Sequence, residues 1–153
     1  MRADAAPVTL LMAEDDPDDR LLAAVALRES RVAGELRFVE DGEQLLDYLR
    51  RRGPWADPAR SPWPGVVLLD LNMPRMDGRE ALAALKADPV LRRIPVVVLT
   101  TSRARADVLR CYELGASAFI TKPATYGGLV DAMRTLGRYW TEIVQLPPAG
   151  GEG

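Results

Sequence analysis

The chain of 153 residues has no histidine and a single cysteine. Without histidine there is no Ser-His-Asp or Cys-His triad, no His-ligated metal and no phosphohistidine of the chain's own. Cys111 alone excludes an intramolecular disulfide and every multi-cysteine metal site. Lysine is nearly missing as well: all twenty cations except Lys86 and Lys122 are arginine. Charge of one sign is not in excess either, since twenty Lys plus Arg against twenty-two Asp plus Glu give a net charge of -2. Such a balance offers no basic footprint for nucleic acid, so no direct DNA binding is expected. No apolar run approaches the ~20 residues that cross a bilayer, and the opening MRADAAPV has no signal-peptide hydrophobic region. The expectation is a cytoplasmic protein without membrane contact, whose chemistry rests on carboxylates, hydroxyls and lysine.

What is present is an alternation. Apolar runs bounded by turn signals are spaced by amphipathic stretches, and 48% of the residues are hydrophobic, enough for one cored domain. Strands are predicted over Val8 to Ala13, Glu35 to Val39, Val66 to Asp70, Val96 to Thr100 and Ser117 to Thr121. VVLLD and VVVLT lack polar alternation, as strands buried on both faces of a parallel sheet do. Helices are predicted over Asp16 to Arg31, Gly42 to about Arg52, Gly78 to Asp88, Ala104 to Leu114 and Ala124 to about Gln145, with Gly115 as a C-cap. Five βα units with right-handed crossovers give an α/β fold, a doubly wound five-stranded parallel sheet. The domain is expected over residues 1–146 with its core at about 8–140, and 147–153 as a disordered tail.

Two segments exceed the minimal plan. Gly53 to Gly65 is a thirteen-residue connection, against ~2–6 for an ordinary αβ loop. Its Trp55 and Trp63 either pack back on the sheet edge or contact a partner. The last helix, if continuous to Gln145, would be ~33 Å long at 1.5 Å per residue and outreach the strands. Trp140, Ile143 and Val144 would then fold over the domain or meet another chain.

Four polar signals sit at predicted strand ends. In Glu14-Asp15-Asp16-Pro17-Asp18-Asp19, capping accounts for Asp16 with Pro17 at N1, and the helix dipole for Asp18 and Asp19. Glu14 and Asp15 are not used up that way. Two like charges at ~5 Å and an effective dielectric near 20 repel by ~3 kcal/mol, which a cation would relieve. Asp70 ends a wholly apolar strand, where a buried carboxylate demands a cation or strong donors. Thr100-Thr101-Ser102 closes VVVLT, with Ser102 also a candidate helix cap, and Lys122 closes AFIT before Pro123. With strand order 2-1-3-4-5, the carboxyl ends of strands one, three, four and five adjoin at the topological switch point. Three carboxylates there suit Mg²⁺. A carboxylate can act as a phosphoryl nucleophile, with hydroxyl and ammonium neutralising the transferring group.

The acids after the first strand, LLDLNMPRMDG, VVVLTTS and ITKPA, in this order between about Val8 and Trp140, resemble the receiver domains of two-component response regulators, with their flavodoxin-like (βα)5 fold. The resemblance implies that Asp70 takes a phosphoryl group from a phosphohistidine on a sensor histidine kinase. It implies Mg²⁺ held by Asp15, Asp70 and the backbone carbonyl of Asn72, with Glu14 acting through water. Thr100 becomes the hydroxyl that captures a phosphoryl oxygen, Lys122 the counter-ion and Phe119 the aromatic switch. Asn72 and Ser102 occupy the positions that tune self-hydrolysis, and the family often carries a cis bond where Lys122-Pro123 stands. The Trp/Pro loop, Thr100-Thr101, LGRYW and the LPP tail are further similar to single-domain regulators of bacterial phytochrome kinases. Signalling is then expected through the face of the fourth helix, fifth strand and fifth helix, with Val108, Tyr112, Met133, Leu136 and Trp140 supplying apolar surface for a homodimer or an unidentified downstream protein.

Three rivals are weaker on the residues. An aspartate-nucleophile phosphohydrolase usually has a second acid two positions after the nucleophile, where Asn72 stands, and a cap insertion, which is absent. A phosphorylation-independent binding module has no need of the intact acid, threonine and lysine set. A flavin phosphate would be repelled by Glu14-Asp15-Asp16.

Overall fold

The computed structural model describes residues 7–148. Five strands, β1 (Val8–Ala13), β2 (Gly34–Val39), β3 (Pro64–Leu69), β4 (Val96–Thr100) and β5 (Ala118–Thr121), form one sheet of order β2-β1-β3-β4-β5. Every neighbouring pair is parallel. Between them run α1 (Pro17–Ser30), α2 (Gly42–Leu49), α3 (Gly78–Ala87) and α4 (Arg105–Leu114), with α5 (Tyr126–Arg138) last. This is the doubly wound (βα)5 fold that the alternation of apolar runs predicts.

The central strands owe their position to their unbroken apolar sequence, because alternate side chains point to opposite faces. Leu11, Ala13, Val67, Leu69, Val96 and Val98 face one core, under α2, α3 and α4, with Leu45, Leu82 and Cys111. Leu10, Met12, Val66, Leu68, Val97 and Leu99 face the other, under α1 and α5, with Ala26, Leu27, Met133 and Leu136. The edge strands β2 and β5 are mostly half-buried, which is why they read more weakly in the sequence.

The helix starts follow their caps. Asp16 accepts from the Asp18 amide with Pro17 in the first turn, and Asp77 forms a capping box with Glu80. Gly115, at φ 107, closes α4 in the left-handed conformation that a side chain would strain.

Two helix ends differ from the sequence expectation. The second helix stops at Leu49 and not near Arg52, because Arg51 enters the left-handed region at φ 53. The last helix is not one rod to Gln145. Its α-helical part ends at Arg138, a π turn spans Tyr139–Ile143, and Val144 is extended. Burial explains the change: Trp140 is drawn under the chain onto the second core, and Val144 and Leu146 pack beside it. The alternative in which this end folds over its own domain is the one realised, although Ile143 stays exposed.

In the 53–65 connection, two short 3-10 turns place Trp55 and Trp63 against the first core. Tyr48 fastens the loop by donating its hydroxyl to the Pro62 carbonyl at 2.6 Å and stacking obliquely on Trp55 at 6.3 Å. The tryptophans thus pack back on the sheet. Of the expected tail, Pro147 and Pro148 line a small cleft with Trp63 and Ile94, while 149–153, like 1–6 of the domain, lie outside the described residues. Among those residues no helix is long and apolar enough to cross a membrane.

Candidate functional site

The hydrogen-bond ladder runs one residue beyond three of the strands, and this carries the polar side chains to one rim. The Glu14 amide donates to the Val39 carbonyl at 3.0 Å, Asp70 to Ala13 at 3.2 Å, and Lys122 to Thr100 at 2.7 Å. Glu14, Asp70 and Thr100 are 1%, 8% and 0% exposed, so the pocket is sunk into the sheet's edge. Gly78 closes its floor: a Cβ there would stand 2.1 Å from the Asp70 carbonyl oxygen, and only glycine lets α3 start so near the acid.

Around Lys122 the acids converge. Its ammonium binds a Glu14 carboxylate oxygen in a very short contact, Asp19 Oδ2 at 3.0 Å and Asp70 Oδ2 at 3.3 Å. Asp70 Oδ1 accepts the Asn72 amide at 3.3 Å. Glu14 also accepts the Asp16 amide at 3.2 Å, and its carbonyl takes Arg20 Nη1 at 2.7 Å. Burial pushes the Glu14 carboxyl well above the usual range, with Lys122 pulling it back. Burial acts against the Lys122 charge too, but the Glu14 hydrogen bond and the Asp70 charge outweigh it and hold the ammonium protonated.

One ammonium faces Glu14, Asp19 and Asp70, with Asp15 beside them, so carboxyl groups outnumber it in the pocket. Carboxylate oxygens of Glu14, Asp15 and Asp70 lie within 4.8 Å of one another. An all-oxygen set that mixes buried Glu14 with exposed Asp15 fits a hard divalent cation that keeps part of its water shell.

The other expected residues divide. Thr100 stands beside the pocket with its hydroxyl near the Ser102 amide at 3.4 Å. Phe119 is half-buried against the first core, its amide donating to the Tyr112 hydroxyl at 3.2 Å. Ser102 stands before α4 and is not its cap, a position held by Ala104 without a side-chain bond; it accepts from the Ala104 amide at 3.3 Å and donates to Asp107 at 2.6 Å. The Lys122-Pro123 bond is trans, since no cis peptide occurs among the described residues. On the expected partner face, Met133, Leu136 and Trp140 are 0%, 9% and 8% exposed and belong to the core between sheet, α1 and α5. The spacing of Met133 and Leu136 marks the inner face of α5, and Trp140 continues that buried side in the π turn. Tyr112 is exposed and Val108 half-buried, and with Leu109, which the sequence reading missed, they line a groove on α4.

Asp19 was also missed. Its helix-dipole role was sufficient on sequence grounds, but the first turn of α1 opens onto the pocket and aims it at Lys122. The position, one turn into a helix that begins at the acidic rim, is the signal that could have found it.

Residues 10–134 match the family model described as the response regulator receiver domain. The chain belongs to the response regulator receiver family. The receiver domain is 39% identical over 143 residues to response regulator Rcp1 of Synechocystis sp., covering 94% of this chain and 95% of the relative. It superposes on the Mn²⁺-bound form of Rcp1 with a TM-score of 0.84, covering 93% of this chain and all of that one. The phosphorylated cyanobacterial phytochrome response regulator RcpA gives 0.85 at 39% identity, with 94% and 100% covered. The bacteriophytochrome response regulator AtBRR gives 0.71 at 40% identity, with 90% and 97% covered. The protein is thus a two-component response regulator of the Rcp1 type, a signalling receiver whose acidic cluster fits a divalent cation.

Proposed function

We propose that Asp70 is the phosphoacceptor and that a sensor histidine kinase, a bacteriophytochrome, is the donor. The observation that carries this is the placement of Asp70: nearly buried, 3.3 Å from the Lys122 ammonium and grouped with Glu14 and Asp15. The likeness to Rcp1, RcpA and AtBRR supports a phytochrome kinase.

An Asp70 carboxylate oxygen attacks phosphorus in line, and the P–N bond of the kinase phosphohistidine breaks with its electron pair staying on the ring nitrogen. Mg²⁺, held by Asp15, Asp70 and the Asn72 carbonyl with Glu14 through water, would neutralise charge on the phosphoryl oxygens. Lys122 exchanges part of its carboxylate contacts for a phosphoryl oxygen, and Thr100 donates its hydroxyl to another. Phe119 turns with Thr100 and passes the change to α4, β5 and α5. Self-catalysed transfer from small donors and slow self-hydrolysis follow from the same groups, with Asn72 and Ser102 setting the rate.

The receiver acts in the cytoplasm through protein contact, not on DNA. Homodimerisation or a downstream partner would use α4, where Leu109 and Tyr112 are 62% and 49% exposed, and not the buried stripe of α5. Incubation with acetyl phosphate and Mg²⁺ followed by intact mass tests the acceptor. Wild type gains one phosphoryl group and Asp70→Asn none; equal labelling of both refutes the assignment. Sedimentation at high concentration, with and without the phosphodonor, tests the dimer, and a monomer throughout would end it.

A further inference from the structure

A polar clamp outside the acidic pocket holds the segment that follows Thr100. Arg79, in the first turn of α3, donates from Nε at 3.0 Å and from Nη2 at 2.9 Å to one oxygen of Asp107, in the first turn of α4. The other oxygen of Asp107 accepts the Ser102 hydroxyl at 2.6 Å. Ser102 is held at its carbonyl as well, which accepts from the Thr121 hydroxyl at 3.2 Å, and its amide faces the Thr100 hydroxyl. The guanidinium fork suits this arrangement, because two N–H groups on one oxygen leave the second free for Ser102. Both charged side chains are partly buried, so solvent weakens the pair less than it would on an open surface.

We propose that Arg79 and Asp107 are positioning residues that hold Ser102, and through it Thr100, in the resting place, and so set how readily the site closes on a phosphoryl group. This rests on the reading of Asp70 as phosphoacceptor. Thr100 has to move toward an oxygen on Asp70, and Ser102, two planar peptide units further on, is carried with it. Ser102 cannot follow while its hydroxyl is bonded to an aspartate anchored on α3. Closure therefore breaks the Ser102–Asp107 bond or drags the start of α4. Contacts present only in the resting state oppose closure by their own free energy, and their loss shifts the population toward the closed form.

The test titrates the Mg²⁺-loaded full chain with beryllofluoride, a phosphoryl-like anion, by calorimetry, beside intact-mass rates of labelling by acetyl phosphate. Asp107→Ala and Arg79→Ala are expected to tighten the anion by about three- to tenfold, the effect of one good hydrogen bond. The double variant should tighten it no further, because both changes release the same clamp. Arg79→Lys, which keeps a charge but loses the fork, should fall between. Should Asp107→Ala fail to fold, Asp107→Asn and Arg79→Lys carry the measurement in the same direction with smaller change. Unchanged or weaker binding in folded variants, with wild type binding normally, overturns the clamp alone. A purely packing role would give that result, with a lower melting temperature only. Wild type that neither binds the anion nor gains a phosphoryl group overturns the Asp70 reading, and the clamp falls with it.

Discussion

At the scale of single residues, the site is a contest between like charges and one ammonium. Lys122 is the cation among Glu14, Asp19 and Asp70, and it is one of the chain's two lysines. Lys122→Met is expected to cost about 3 kcal/mol of stability without metal, because it strands a buried carboxylate; the urea midpoint reads the loss. Gly78→Ala should be harmful for a different reason. Its methyl would stand 2.1 Å from the Asp70 carbonyl, so α3 or the acid must move, at a cost of about 1–3 kcal/mol, and labelling of Asp70 should slow at the same time. A variant as stable and as quickly labelled as wild type would show that the close approach does not matter. Glu14, Asp70, Thr100 and Lys122 were legible in the sequence because each is a polar residue ending an apolar run, where filler is expensive. Asp19 and Asp107 were not. Each sits in the first turn of a helix, where an acid is already explained by the dipole, and only the packing of neighbouring helices shows that they have further partners.

At the scale of elements, the strands, the helix starts and the glycine-capped end of α4 were readable, whereas the ends of α2 and of the last helix were not. A buried strand announces itself by composition, and a cap by the residue that fills it. By contrast, the π turn after α5 follows from where Trp140 finds cover, a tertiary cause that periodicity does not carry. The same blindness placed Met133, Leu136 and Trp140 on an outer face, since spacing alone does not tell an inward stripe from an outward one. The 53–65 connection also takes its order from tertiary contacts, above all Tyr48. Removing its hydroxyl in Tyr48→Phe orphans the Pro62 carbonyl and should cost about 1 kcal/mol, with faster tryptic cleavage at Arg60. Burial also pushes the Tyr48 phenol up from 10 to about 12. The unfolded chain therefore loses this proton first, so the stabilisation is whole below pH 10 and is lost as pH rises toward 12. Across that window wild type should lose more stability than Tyr48→Phe. Parallel pH curves for the two proteins would mean that the phenol is not buried as described.

At the scale of the whole molecule, the sheet order gathers distant stretches of chain at one rim and leaves the opposite end to packing. The two cores pack the sheet on both faces, so Glu14 and Asp70, buried at the ends of β1 and β3, have little room to spread apart and relieve their repulsion. Function and stability are therefore opposed in the metal-free protein, and the opposition has a measurable sign. Asp70→Asn removes one negative charge while Glu14 and Asp19 still hold Lys122, so the metal-free variant should melt at a higher temperature than wild type. Adding Mg²⁺ should reverse the order. An ion that binds only the folded chain stabilises it by ~2.7 kcal/mol at a hundredfold excess over its dissociation constant, and the variant, one carboxylate short, should gain much less. The two melting temperatures are expected to cross as Mg²⁺ is raised through the millimolar range. Equal shifts in both proteins would place the ion elsewhere, and a lower metal-free melting temperature for Asp70→Asn would mean that its bond to Lys122 outweighs the crowding of the acids.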